Sequence, residues 1–556
     1  MSSNARNLSL QYAMVLVCAG AVYSLSCAPG LLWQDSGLIQ YRVLNHDVKG
    51  VFGLALAHPL FYDLAFWVRA LPVGGLPWRV NMIAAIAGAV ALANLFLFMK
   101  LWLGSALPAV VAVLSLGLAH TFWQHASMAE TYTLWCAFFT AELLLLLCYT
   151  RTGRRCYLYG LALTNGLALS VHLLAVISGL CYGAYLMVLA GKRSIAARDL
   201  AALSLLWGLG AAPYGWLVAQ AWLSSGDGWG TLSSALFGDR WQDDVLNVTL
   251  SMKIVKENLL FLCLNFPTPN LLLCGVGGVG LLRLTRDKAI RAILLGLAAL
   301  YLLFASRYTV PDRYAFFIPF YVLVAVLIGM GVQVVQEHTR FGRGGLSRVG
   351  KLDLASSGPF SAWPHPAAST IEQTSPASPS LPGEKMARSR ADDRVFRQGL
   401  VILALALVPI GVYCVAPAWA RAQQFSLGTR ADLPYRDDYR YFLQPWKTGD
   451  RGAARFATEV LEQVEANALI YADMTTVPAL LFVQQHRGLR PDVHVVSEKM
   501  ASPGAPHFDA ESIAHHLAAR PVYVVSRAEG YCPRFVLERY RLRKRGLLWQ
   551  VQEIST

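Results

Sequence analysis

The sequence predicts a polytopic α-helical membrane protein of about eleven spans that ends in a small soluble α/β domain. Three observations carry this. Of 556 residues, 55% are hydrophobic and only 15% charged, against roughly 25% charged in ordinary soluble domains. Apolar runs long enough to cross a ~30 Å hydrocarbon core recur along the chain. After the last run the composition changes to charged segments in which strand-like and helix-like patterns alternate.

The runs fall near residues 11–33, 78–103, 107–124, 130–150, 156–172, 173–191, 200–223, 258–282, 290–306, 314–336 and 399–420. The first is longer than a signal-peptide core and lacks a small-x-small cleavage site, so it is expected to stay as an anchor. The net charge of +14 does not point to nucleic acid, because Lys and Arg cluster between the runs, as in Arg151-Thr-Gly-Arg154-Arg155. With the N-terminus inside, the inner loops hold that cluster, then Lys192, Arg193 and Arg198, then Arg283, Arg286, Lys288 and Arg291, then the segment after Arg340. Every inner loop obeys the positive-inside rule. Residues 156–191 have almost no polar break, and Asn265-Phe-Pro267-Thr-Pro269-Asn270 interrupts the eighth run. Buried turns and broken helices both fit such places.

Residues 1–336 thus form the multi-span domain. Residues 337–398, rich in Pro, Ser and Ala, are expected to be a flexible cytoplasmic linker, and 399–420 the last span. In residues 421–556, helix-like 453–466, strand-like 468–473, helix-like 476–487 and strand-like 492–497 and 521–526 follow one another. That rhythm predicts an extracytoplasmic α/β domain with a mostly parallel sheet. Nine of the ten cysteines lie in or beside apolar runs and only Cys532 in the soluble stretch, which excludes an internal disulfide framework there.

The same orientation collects polar residues on the outer face. Asp35 and His58 fall in the first outer loop, His125 and Glu130 at the second, and His172 at the third. Asp239, Arg240, Asp243 and Asp244 fall in the fourth, and Arg307, Asp312 and Arg313 in the fifth. Each has a structural alternative. Asp35 is a natural N-cap for a helix starting near Ser36, Glu130 suits a helix dipole, and His172 between two spans suits packing. Asp473, ending a strand, is either a ligand group or a cap for the helix after Thr475. "LAHPLFYDLAFWVRAL" repeats Leu60, Leu64, Trp67 and Leu71 at helical spacing. It is too short to span and reads as an interfacial helix.

"WQDSG" (33–37), the later "AHP", "SMAETYTL" (127–134), "SVHLLAV" (170–176), "YTVPDRYAFFIPFY" (308–321) and "YADMTTVPALLFVQQHRGLRPDVHVV" (471–496) together resemble, in order, the motifs of a polytopic family. It is the family related to transmembrane O-mannosyltransferases, once catalogued as a domain of unknown function, in the glycosyltransferase-C superfamily. The resemblance runs from about residue 10 to 500. It implies a multi-span transferase that takes sugar from a polyprenyl phosphate carrier and uses an acid of the first outer loop, here Asp35. The family commonly follows Asp-Ser-Gly with an acid where this chain has Leu38. After His-Pro it commonly has a Pro-Gly-Tyr-like stretch where this chain has Leu60-Phe61-Tyr62.

The expected chemistry is general-base activation of an acceptor hydroxyl by Asp35 with inversion at the sugar. His58, His172, Arg307 and Arg313 are expected to meet the donor phosphate; Glu130, Asp312 and Asp473 are expected to bind substrate or hold structure. The partners expected are a polyprenyl phosphate sugar (its sugar possibly mannose), a protein or glycan acceptor and the bilayer, without nucleic acid. No cofactor is expected, although the loop "GDRWQDD" offers carboxylates to a divalent cation. A bacterial inner membrane with a periplasmic site is the expected setting; "NVT" (247–249) is the one sequon placed in an outer loop, and an endoplasmic reticulum membrane is the alternative. A transporter or flippase for a lipid-linked glycan, and a non-catalytic binding protein, are the competing functions. Apart from Pro267 and Pro269, no paired repeat of broken helices marks a transporter.

Overall fold

The computed structural model of the chain describes residues 3–285, 287–310, 312–341, 382–427, 430 and 433–554. The membrane part begins with α1 (Ser3–Ser26), α2 (Gln34–Leu44), α3 (Pro59–Arg69), α4 (Leu76–Leu103), α5 (Ala106–Gly117), α6 (His120–Ala126), α7 (Tyr132–Thr152) and α8 (Arg155–Val171). It continues with α9 (Ala175–Gly191), α10 (Ala197–Ser225), α11 (Gly228–Phe237), α12 (Gln242–Leu246), α13 (Met252–Asn265), α14 (Leu272–Leu284), α15 (Lys288–Arg307), α16 (Ile318–Phe341), α17 (Pro382–Ala406) and α18 (Val408–Ala422).

Among the described residues seven helical stretches are long and apolar enough to cross a membrane, or nine if each of two bent pairs is one span. The eleven expected are not reached. α5 and α6 meet at 72°, and α13 meets the helix after Pro269 at 113°. The run over 156–191 divides into α8 and α9 of 17 residues each, about 26 Å at 1.5 Å per residue. α1 stops at Ser26 rather than Trp33 because Pro29 cannot extend a helix.

The two bends interlock, which satisfies backbone groups that a break exposes. The Thr121 amide donates to Asn265 Oδ1 at 2.8 Å, and Asn265 Nδ2 donates to Thr121 Oγ1 at 3.0 Å. The Tyr413 hydroxyl donates to the carbonyls of Leu118 and Leu264 at 3.1 and 2.9 Å. Burial separates the centre from the rim: 83% of the apolar window in Arg313–Arg340 and 78% of that in Leu76–Leu103 are inside, against 6% in Ala5–Ser26.

Close backbone approach sets the end of α8. A Cβ on Gly166 would lie 2.2 Å from the Trp207 carbonyl oxygen, and one on Gly210 would lie 2.5 Å from that of Leu163. Small residues at such crossings let helices touch backbone to backbone. Ser170 Oγ then donates to the Gly210 carbonyl at 3.0 Å, fixing the turn that carries His172.

Helix occupies both ends of the expected linker, residues 337–341 and 382–398; residues 342–381 lie outside the described ones. The tail contains α19 (Asp438–Leu443), α20 (Gly452–Gln463), β1 (Leu469–Tyr471), α21 (Val477–Arg487), β2 (His494–Val496), α22 (Ile513–Ala519), β3 (Val522–Val524), α23 (Arg534–Arg539), β4 (Arg541–Arg545) and β5 (Leu548–Gln552). The sheet order is β2-β1-β3-β5-β4. β1 pairs parallel with β2 and β3, whereas β3–β5 and β4–β5 are antiparallel. The sheet is therefore mixed, not mostly parallel. Its unforeseen hairpin turns at Gly546, φ +54°, after the charged stretch RLRKR, which shows no apolar alternation.

The tail is not a separate lobe. Leu31, Leu32, Trp33 and Ile39 share one apolar core with Phe456, Leu461, Leu480 and Leu481.

Candidate active site

Each residue of Trp33-Gln-Asp-Ser-Gly37 has a local task. Trp33 is fully buried and meets the Phe456 ring at 5.5 Å. Gln34 takes φ +54°, a left-handed conformation that non-glycine residues seldom adopt. Its amide donates to the Thr475 carbonyl of the tail at 3.2 Å. Ser36 Oγ donates to Glu130 Oε1 at 3.3 Å. Gly37 needs to be glycine, since a Cβ there would lie 2.4 Å from the Leu32 carbonyl oxygen.

This leaves Asp35 in the first turn of α2, whose N-cap is Trp33. Asp35 is therefore not the cap. Among the described residues its carboxylate has no hydrogen-bond or ion-pair partner, and it keeps open surface. Protein surrounds it closely enough that burial raises its carboxyl above the ordinary range. Glu130, half-buried, precedes Thr131, the N-cap of α7. Burial holds it well above the carboxylate range, and Asp35 and Asp312 add to that. Asp312 precedes a 3₁₀ turn at Arg313–Phe317 and makes no capping bond. Burial, then the charge of Asp35, raises it to about 7. Three loops thus bring three acids into mutual electrostatic range, and like charges oppose one another's ionisation.

Imidazole and phenol rings continue from this cluster. His58, φ +51°, caps α3 ahead of Pro59. Its Nδ1 lies 2.7 Å from the Val171 carbonyl oxygen, and its ring stacks on His172 with centroids 5.2 Å apart. His172 meets Tyr132 at 5.0 Å; Tyr132 meets His125 at 5.1 Å, and His125 meets Tyr314 at 5.9 Å. Burial lowers His58 to about 4, with Arg42 second, and lowers His172 well below its ordinary value, with His58 second. On α3, Phe61, Tyr62 and Ala65 are buried while Leu64 and Trp67 are exposed, as an interfacial helix requires.

The other expected residues are engaged elsewhere. Arg307 Nη1 donates to the carbonyls of Val245, at 2.6 Å, and Asn247. Arg313 pairs through Nη2 with Glu257 Oε2 at 2.5 Å, leaving its buried Nη1 without a hydrogen-bond partner. Asp473 lies 2.5 Å from buried Arg430 and accepts from the Thr475 amide at 2.8 Å and from Thr476 Oγ1 at 3.3 Å. In the acidic loop, Asp239 accepts from Ser234, Asp244 from Thr309, and Arg240 pairs with Glu498. Among the described residues no three His, Cys, Asp or Glu side chains are grouped to hold a metal ion.

Sequence reasoning passed over two buried cations. Arg42 donates to the carbonyls of Asp47, Val48, Leu56 and Ala57 and sits 4.1 Å over the Tyr62 ring, shaping the loop that delivers His58. Lys447 donates to the Tyr441 and Gln444 carbonyls at 2.7 and 2.8 Å, and burial drives its ammonium down to about 7. Arg42 stood inside the passage that held Asp35, but only the fold shows what it binds.

Multi-span helices carrying a site at one end, under a small strand-containing tail, define a glycosyltransferase-C-like fold. Residues 54–195, which include His58, Glu130 and His172, match the family model described as Protein O-mannosyl-transferase TMEM260 N-terminal domain. The match covers 142 of the 556 residues, and over that stretch the chain is similar to the O-mannosyltransferase-related family. The chain is similar to ArnT from Cupriavidus metallidurans bound to undecaprenyl phosphate: 13% identity, TM-score 0.54, with 97% of this chain and 98% of that chain covered. The apo state of ArnT gives 15%, 0.54, 98% and 98%. At such identities the likeness is one of fold. AglB from Archaeoglobus fulgidus, in complex with an inhibitory peptide and a dolichol-phosphate, lies further off at 15% identity and TM-score 0.46, with 92% and 69% covered. No curated protein matches the sequence.

Proposed function

We propose that the chain is an inverting glycosyltransferase that moves a sugar, mannose being the first to test, from a polyprenyl phosphate to a hydroxyl of a protein or glycan acceptor, with Asp35 as general base. The observation that carries this is an acid held unpaired and open in the first turn of α2, beside two other acids and an aromatic wall. The acceptor oxygen attacks the anomeric carbon, Asp35 takes its proton, and the bond to the carrier phosphate breaks with its electron pair. General-base work of this kind contributes ~10²- to 10⁴-fold. Burial keeps the proton affinity of Asp35 high, which makes it a stronger base. For the leaving phosphate, the unpartnered Nη1 of Arg313 is the nearest candidate in sequence to the acids.

The undecaprenyl phosphate of the ArnT structure belongs to that protein; on a shared fold it supports a lipid phosphate donor here. The setting we favour is a bacterial inner membrane with tail and site in the periplasm, the lumenal face of the endoplasmic reticulum being the alternative. The test is sugar transfer from polyprenyl phosphate mannose in membranes carrying wild type or Asp35→Asn. Transfer by wild type that the substitution abolishes supports the proposal. Equal transfer by both removes Asp35 as the base, and transfer by neither favours a transporter or a binding protein.

A further inference from the structure

His58 and His172 were expected at the donor phosphate, but their hydrogen bonds describe a different partner. A carbonyl oxygen only accepts, so His58 Nδ1, 2.7 Å from the Val171 oxygen, carries the ring proton. A neutral imidazole has one N–H, and His58 Nε2 is then an acceptor. At His172 the order reverses: Nδ1 accepts from the Leu174 amide at 3.2 Å, so the proton sits on Nε2, a donor. Among the described residues neither Nε2 has a protein partner, and neither is among the buried polar atoms left without one.

The surroundings are apolar and aromatic. Tyr132 lies against His172, Phe316 stands edge-on to both at 5.8 and 5.7 Å, and Tyr308 stands edge-on to Phe316 at 4.6 Å. Both imidazoles stay uncharged at neutral pH, for burial holds both down, with Arg42 adding to this at His58 and His58 adding to it at His172. Uncharged rings give the donor's phosphodiester anion no countercharge. One acceptor and one donor side by side, walled by aromatic faces, match adjacent hydroxyls and the C–H face of a pyranose. Tyr132 and Glu130, two residues apart, join this wall to the acids.

We infer that His58, His172 and Tyr132 form the subsite for the sugar of the lipid-linked donor, His58 Nε2 accepting from one hydroxyl and His172 Nε2–H donating to another. This rests on the donor class proposed above. The pair then selects the sugar, while the carrier phosphate is held elsewhere.

The test uses full-length protein in detergent and two probes, polyprenyl phosphate mannose and bare polyprenyl phosphate, with binding measured for wild type, His172→Phe and His58→Asn. Phenylalanine keeps a ring between His58 and Tyr132 without an N–H. Asparagine tolerates the left-handed backbone and can still donate to Val171. The inference expects each variant to bind the mannose lipid about tenfold more weakly, one hydrogen bond's worth, and the bare lipid as wild type does. Bare-lipid binding also reports that the variant has folded. Equal weakening toward both lipids would return the histidines to the phosphate, and unchanged binding of both would remove them from the donor site; either overturns the inference. If wild type binds neither lipid, the donor class itself fails.

Discussion

Asp35 and Asp473 look alike in the sequence: each acid follows an apolar segment and stands at the entry to a helix. The fold treats them oppositely. Asp473 is buried, paired at 2.5 Å with Arg430, and spends its oxygens on Thr475 and Thr476. Among the described residues Asp35 has no ion-pair partner, and two other acids lie within its electrostatic range. The two are also connected, because the turn that Asp473 holds presents the Thr475 carbonyl to the Gln34 amide, one residue before Asp35. The difference teaches that what compensates an acid, rather than where it stands on a helix, separates a structural carboxylate from a reactive one.

That contrast can be broken from either side. The largest effect belongs to Asp35→Asn, which should lower transfer by ~10²- to 10⁴-fold and leave the thermal unfolding midpoint equal or higher, since it removes a disfavoured charge. Asp473→Asn should act the other way. It removes the buried ion-pair partner that Arg430 has in Asp473, and breaking a buried pair costs about 3–5 kcal/mol, read as a lower unfolding midpoint. Transfer per folded molecule should change far less than at Asp35. If Asp473→Asn instead removes activity at full stability, the distinction is wrong.

Gly37→Ala should come next. Its Cβ would press on the Leu32 carbonyl, and misplacing a reacting group by about 1 Å costs up to ~10²-fold in rate. A loss in kcat that exceeds the change in donor KM would show that the turn positions Asp35. An unaffected kcat would mean that the turn has slack.

The smallest effect is a pH shift. Burial and Asp35 raise Asp312 to about 7, and neighbouring acids titrate as a group. The base works ionised, so the transfer rate should fall as pH drops through the cluster's titration range. Asp312→Asn removes the acid that titrates near neutrality, so the part of the fall that lies near pH 7 should disappear from the profile. The same sign governs stability. Between an unfolded value near 4 and a folded value near 7, the folded chain holds the extra proton, so stability declines as pH rises through that window. Asp312→Asn should flatten the decline, as thermal melts at pH 5 and pH 8 would register.

Much of this molecule was legible in its residues. Apolar runs marked most of the membrane helices, and the strands of 468–473, 492–497 and 521–526 fell where alternation placed them. Asp35, Glu130, Asp312, His58 and His172 do meet at one end of the helices. What escaped depends on partners distant in sequence. Nothing local shows that Arg313 pairs with Glu257, that Arg307 braces the 245–247 carbonyls, or that Arg430 neutralises Asp473. With each bent pair as one span the count reaches nine, and the two runs that fall short of the eleven are α8 and α9, each of 17 residues. The β4–β5 hairpin failed because RLRKR carries no apolar face. The tail's union with the Asp35 loop was hidden for the same reason as the ion pairs: Trp33 and Phe456 are joined only by the fold.

The central claim, that Asp35 is the base, is tested most directly by single-turnover transfer with purified protein, saturating polyprenyl phosphate mannose and acceptor, in wild type and Asp35→Asn. The account predicts that both bind the donor equally, that wild type transfers the sugar, and that the variant stalls with intact donor. Transfer by the variant at the wild-type rate would contradict it.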